Sequence, residues 1–142
     1  MLAKSLKLGE SKTIGVIVSN LFNPFFSSVT YGIDEKVRKK GYSIIICNSD
    51  SNYQREEEAI ATLIKKRVDG ILITPIRKSS LDASFLQKAK IPCVLMMSHF
   101  KVEGFDYVGF DDKMGAFLAT EHLINKGHRR ISVSYTHLRA HE

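Results

Sequence analysis

The chain has 142 residues, 44% of them hydrophobic and 25% charged, with nine Gly, three Pro and no Trp, which fits about one domain of globular material and excludes collagen-like, mucin-like and strongly disordered chains. No apolar run approaches the roughly 18 residues needed to cross a bilayer, and Met1 to Lys12 carries Lys4, Lys7 and Lys12 with no apolar stretch behind them, so neither a membrane span nor a secretory signal is predicted. The net charge of +6 gathers at the two ends and leaves residues 13–125 nearly neutral; this predicts no contiguous basic face on the body and directs any search for DNA contacts to the N-terminus.

Thr13-Ile-Gly-Val-Ile-Val-Ser19 opens the body with a short β-branched run of the kind that forms a strand buried on both faces. Residues 24–40 follow with a helical stripe of Phe26, Val29, Ile33 and Val37. Asn23 can cap this helix, Pro24 suits its first turn, Lys36, Arg38, Lys39 and Lys40 complement its C-terminal dipole, and Gly41 can end it in the left-handed conformation. A second strand is predicted over 43–48, a second helix over 53–67 on Ile60, Leu63 and Ile64, and a third strand over 69–74. A weaker helix over 79–88 precedes strands over 92–97 and 107–111. The last helix, over 113–126, presents Ala116, Ala119, Leu123 and Ile124 and ends at Gly127; Arg130-Ile-Ser-Val133 then starts a further strand. Strand and helix alternate, so the fold class is α/β with a parallel, doubly wound sheet and helices on both faces. In a sheet of order 2-1-3-4-5, Cys47 and Cys93 are three strand spacings apart, about 14 Å, too far for a disulfide. With no His or Cys at metal-ligand spacing beside either, they read as reduced core thiols of an intracellular, cytoplasmic protein.

The first strand-to-helix loop, Ser19-Asn-Leu-Phe-Asn-Pro-Phe25, has no glycine, which excludes a dinucleotide fingerprint because only glycine admits the close backbone approach of a pyrophosphate. Signatures of P-loop enzymes, zincins and α/β-hydrolases are missing, and Thr74-Pro75 stands where a phosphoacceptor domain would carry a carboxylate. Asp111-Asp112 does not make an acid/base pair: neighbours at a strand-to-helix junction point apart, and Asp112 suits an N-cap. His122 has no second ligand within one turn and reads as a surface histidine. No catalytic residue, metal site or cofactor is expected. What remains is Phe25-Phe26 in the first turn of a helix at the C-terminal edge of a parallel sheet, where open α/β sheets bind ligands. Two adjacent aromatics cannot both face the sheet. Phe26 continues the buried stripe, so Phe25 projects over the strand edge, either as a patch under a loop or as a stacking platform for a flat apolar ligand face.

Thr13-Ile-Gly-Val-Ile-Val, Asn23-Pro-Phe-Phe26, Lys40-Gly-Tyr42, Arg67-Val-Asp-Gly-Ile-Leu72, Ile91-Pro92, Tyr107-Val-Gly-Phe-Asp-Asp112 and Lys126-Gly-His-Arg-Arg-Ile131 together resemble the effector-binding domain of LacI/GalR-family transcriptional regulators. The resemblance runs in order over about residues 2–133 and implies a periplasmic-binding-protein-like type I fold, two α/β lobes around a cleft. It divides the chain into a hinge helix and linker remnant (1–12), the N-terminal lobe (13–111), the start of the second lobe (112–133) and a foreign-looking tail (134–142), so that the chain reads as a fragment with Met1 an internal methionine.

By the same resemblance the site that binds a small-molecule effector, sugar-like in class, comprises Asn23, Phe25, Phe26, Met97, Ser98 and Asp111. Leu6 matches the hinge leucine that wedges into the operator minor groove, with Lys4 beside it. The implied partners are the effector, operator DNA bound through an N-terminal helix-turn-helix and hinge, and a second copy in a homodimer; no membrane is implied. Periplasmic solute-binding receptors share these lobes, so transport is the alternative to regulation. One departure stands out: sugar-binding members commonly end the fourth strand in Asp-Arg, and this chain has Met97-Ser98.

Overall fold

A computed structural model of the chain describes residues 10–76, 90–97 and 103–134. It divides into two compact units, Met1–Gly109 and Phe110–Glu142. The first unit is a five-stranded parallel sheet in the order β2-β1-β3-β4-β5, with β1 Thr13–Val18, β2 Ser43–Asn48, β3 Gly70–Ile73, β4 Cys93–Met96 and β5 Asp106–Val108. Helix α1, Pro24–Arg38, joins β1 to β2, and α2, Tyr53–Lys65, joins β2 to β3. The helix expected over 79–88 lies outside the described residues.

Alternation along the strands splits the core into two faces, since successive side chains in a strand point to opposite sides. Ile17, Ile71, Ile73, Cys93 and Leu95 meet Ala59, Ile60 and Leu63 of α2 on one side. Val16, Val18 and Met96 take Phe26, Val29 and Ile33 of α1 on the other. α2 comes closest to the sheet at Gly15, where a Cβ would stand 2.5 Å from Leu63 Cδ1, so glycine is needed for the helix to seat. α1 ends as its sequence foretells: Gly41 turns left-handed at φ +77° and donates to the Arg38 carbonyl, while Tyr42 N–H reaches the Val37 carbonyl. Both cysteines are free, Cys47 and Cys93 packing with the α2-side cluster. Burial raises the Cys47 thiol pKa and pushes that of Cys93 up to about 12.

In the second unit α3, Asp112–Asn125, has no buried residue; Met114, Phe117, Leu118 and Ile124 stand exposed along it. Its N-cap is Asp111, whose Oδ1 accepts from Met114 N–H at 2.8 Å, and not Asp112 as expected; Asp112 already has helical geometry one residue inside. The strand expected at Arg130-Ile-Ser-Val133 does not form. A strand satisfies its backbone groups through a neighbouring strand, and the described residues of this unit contain none.

Candidate functional site

The strand order reverses at β1, so the loops leaving β1 and β3 open a crevice at the C-terminal edge of the sheet. The loop after β1 is held by short polar side chains on three elements. Asn48, at the end of β2, accepts from Leu21 N–H at 3.3 Å; Asn20 accepts from Phe22 N–H at 2.9 Å; Ser27, on α1, donates to the Leu21 carbonyl at 2.9 Å. Asn23 caps α1, its side-chain oxygen accepting from Phe25 N–H at 3.0 Å. That oxygen is engaged, so the amide NH2 is the group Asn23 can offer a ligand.

Phe26 packs into the α1-side core, and Phe25 meets it edge-on at 5.2 Å between ring centroids while keeping 42% of its surface exposed. Edge-to-face contact suits the aromatic quadrupole and fixes the plane of the outer ring. Met97 packs against the same Val16, Val18 and Met96 cluster as Phe26, held at φ +52° with its N–H on the Val108 carbonyl at 2.9 Å. Three expected site residues therefore share the start of α1, and Met97 shares a core cluster with one of them. Ser98, Leu6 and Lys4 lie outside the described residues. Asp111 belongs to the second unit, where its carboxylate caps α3.

Sequence reasoning missed three residues around this crevice. Phe22, 92% exposed, is a further aromatic on the fastened loop, and its signal was the run of three aromatics within five residues. Thr74, at the end of β3, buries a hydroxyl that finds no hydrogen-bond partner among the described residues. Glu56 is fully buried in the first turn of α2 and accepts from Ile76 N–H at 2.9 Å, tying the loop after β3 to the helix. It occupies the same helical stripe as Ile60 and Leu63, so its position was readable though its charge argued for the surface. Two recesses of the first unit open at the other end of the sheet, one around Tyr42, Arg67 and Lys90, the other around Pro92, Phe105 and Asp106.

The arrangement presents an aromatic face, a thioether and short hydrogen-bonding groups, which suits binding; no nucleophile stands beside a base among the described residues. The family model for "periplasmic binding proteins and sugar binding domain of LacI family" matches residues 11–140. The chain belongs to this family. Among LacI-family relatives it is 34% identical over 132 residues to the ribose operon repressor of Escherichia coli strain K12, covering 92% of this chain and 40% of that protein. It is also 34% identical over 131 residues to the HTH-type transcriptional repressor PurR of Photobacterium profundum, covering 91% and 39%. A crystal structure of a periplasmic binding protein/LacI transcriptional regulator from Alkaliphilus metalliredigens, complexed with D-xylulofuranose, superposes with a TM-score of 0.69 at 30% identity over 82% of this chain and 42% of that one. The chain thus spans about two fifths of the length of the curated relatives it matches. No helix among the described residues is long and apolar enough to cross a membrane.

Proposed function

We propose that this LacI-family chain forms the first lobe of the effector-binding domain of a DNA-binding transcriptional regulator. A small metabolite enters the crevice at the C-terminal edge of the sheet, the angle between lobes changes, and a hinge preceding β1 passes that change to operator affinity. The observation that supports it is the fastened loop before α1, with Phe25 half-exposed and set edge-on to Phe26, on a chain whose curated relatives are named repressors. Residues 1–12 act as hinge and linker, with Leu6 entering the minor groove and Lys4 on the phosphates. The native protein works as a homodimer in the cytoplasm and carries out no catalysis.

The effector is a sugar-like metabolite that is less polar, larger or phosphorylated than a plain aldose. Phe25 stacks on it, Asn23 donates its amide, Met97 gives apolar contact and Ser98 one short hydroxyl. Loss of two charged hydrogen-bonding arms costs roughly 1.5 to 3 kcal/mol each for a ligand that needs them. The reading is tested on the complete gene product by operator gel shift with and without candidate metabolites, sugar phosphates first. Operator binding that one such ligand alters supports it. A protein that binds sugars and no DNA assigns the chain to solute transport instead.

A further inference from the structure

The topology that brings apolar residues to one end of the sheet brings cations to the other. In a parallel βαβ unit each helix runs back, so its C-terminus lies beside the start of the next strand. Before β2 stand Lys39 and Lys40, before β3 Lys65, Lys66 and Arg67, and before β4 Lys90, all exposed. They form a row along this end of the sheet; of the row, only Arg67 and Lys90 line the recess beside Tyr42, which they share with Glu10 and Asp69, and Lys12 Nζ lies 4.8 Å from the centroid of the Tyr42 ring. The nearest carboxylates are engaged. Asp69 accepts from the backbone N–H groups of Ser11 and Lys12, both at 2.8 Å, and Glu10 pairs with Lys12. Asp106, the first residue of β5, stands at this same end and lines the neighbouring recess with Pro92 and Phe105. The opposite end of the sheet carries Asp50, paired with Arg55, and Glu57 and Glu58 in the first half of α2. The near-neutral sum along residues 13–125 does not show this grouping of lysines, which the crossover connections bring about.

Three of these cations, Lys12, Arg67 and Lys90, also stand where the backbone favours glycine. α2 closes with Arg67 N–H on the Ile64 carbonyl and Val68 N–H on the Leu63 carbonyl, the same pair of bonds that α1 makes through Gly41 and Tyr42. Arg67 nevertheless adopts φ +54° at the position equivalent to Gly41, and Lys90 adopts φ +53° before β4. Left-handed geometry is disfavoured for both residue types.

We propose that this basic end of the sheet is a second DNA-contacting surface, resting against the phosphate backbone of duplex DNA beside the site gripped by the segment before β1. The inference rests on the regulator reading. The partner follows from charge and from where the chain arrives, because residues 10–12 join the unit at this same end. Leu6 precedes Lys12 by six residues, which span at most about 20 Å when extended, so a duplex held at Leu6 lies within reach of the lysines. Duplex DNA, with one phosphate charge per roughly 1.7 Å of axis, matches a broad row of cations, most of which stand outside the recess, while the recess itself is lined by the carboxylates of Glu10 and Asp69 as well as by Arg67 and Lys90 and so does not suit a small anion.

The test is fluorescence anisotropy of the complete protein on a labelled duplex lacking the operator, titrated at salt concentrations from about 50 to about 200 mM. The variant Lys39→Gln/Lys40→Gln/Lys65→Gln/Lys66→Gln is expected to bind at least tenfold more weakly at the lowest salt. Its plot of log affinity against log salt becomes shallower by about 2 to 4, at about 0.9 per lost phosphate contact. The four-fold Lys→Arg variant keeps the wild-type slope. A control with Lys113→Gln/Lys126→Gln/Arg129→Gln/Arg130→Gln, in the second unit, keeps it too. An unchanged slope in the first variant, or an equal fall in the control, overturns the inference while leaving the regulator reading in place. Wild-type protein that binds no duplex at any salt overturns the regulator reading itself.

Discussion

Replacing Phe25 by Ala removes an aromatic that the fold orients against Phe26 and leaves half-exposed at the start of α1. Phe25 keeps 42% of its surface exposed in the free protein, and a buried aromatic of its size removes roughly 200 Å² from water. Full stacking on a ligand would therefore cover about 80 Å² more, contributing about 2 kcal/mol at roughly 25 cal/mol per Å². That corresponds to about 30-fold in affinity. Isothermal titration calorimetry of the complete protein against a panel of monosaccharides and sugar phosphates measures it directly, with Phe25→Tyr retaining most of the affinity because the ring face survives. Phe26→Ala serves as the contrast: that ring packs against Val16, Val18 and Met96, so its loss lowers fold stability by about 2 to 3 kcal/mol before it touches binding. Two results would refute the reasoning. One is ligand affinity unchanged in Phe25→Ala. The other is low-micromolar binding of a plain aldose that survives Met97→Ala and Ser98→Ala, which would show that a charged pair at those positions was never needed.

Gly15→Ala forces a methyl against Leu63 Cδ1 and should cost about 1 to 3 kcal/mol in urea melts, with Leu63→Val in the same chain recovering part of it; additive effects would show that α2 does not seat there. Cys93 should resist thiol reagents at pH 8 in the native state and react, with Cys47, on denaturation; an intramolecular disulfide would contradict the strand order. Because the folded Cys93 pKa of about 12 lies above its ordinary value of 9.0, the unfolded chain releases this proton first. Stability should then fall as pH rises from about 9 toward 12, and Cys93→Ala should flatten that fall in thermal melts. Expressed alone, the 142-residue chain should bind hydrophobic dye and self-associate, since α3 leaves Phe117, Leu118 and Ile124 uncovered; a monodisperse monomer with a sharp melt would overturn this.

Local chemistry made most of the first unit legible. Each β-branched run of this unit became a strand within two or three residues of its expected bounds, although only the inner strands β1, β3 and β4 are largely buried, while the edge strands β2 and β5 keep exposed positions. Asn23, Pro24 and Gly41 act through neighbours one to four residues away, so the ends of α1 could be read directly. What escaped depends on partners far along the chain. Glu56 is buried because the Ile76 N–H arrives twenty residues later, and Arg130-Ile-Ser-Val133 stays irregular because propensity supplies no strand to pair with. The choice between Asp111 and Asp112 as cap turned on one residue of register. The clustered lysines were hidden by arithmetic on the sequence, which averages what the crossover connections separate. At the site, the aromatic pair was readable from helical period, but the asparagines that hold its loop were not, since Asn48 comes from the neighbouring strand.

The strand order also sets how the sheet can be assembled as the chain emerges from the ribosome. β1 and β2 pair first, through the connection that contains α1; β3 then adds to the free side of β1, β4 to β3 and β5 to β4. Every strand after β2 finds its partner already made, and none must insert between two that are paired. One margin, β2, is finished from the outset, and accordingly it carries exposed positions at Ser43 and Ile46 and lacks the fully buried run of β1. The other margin moves outward as synthesis proceeds. Growth at a single edge means that, beside the outer side of β2, each intermediate leaves only the newest strand's outer backbone unpaired, which limits the template available for pairing with a neighbouring nascent chain.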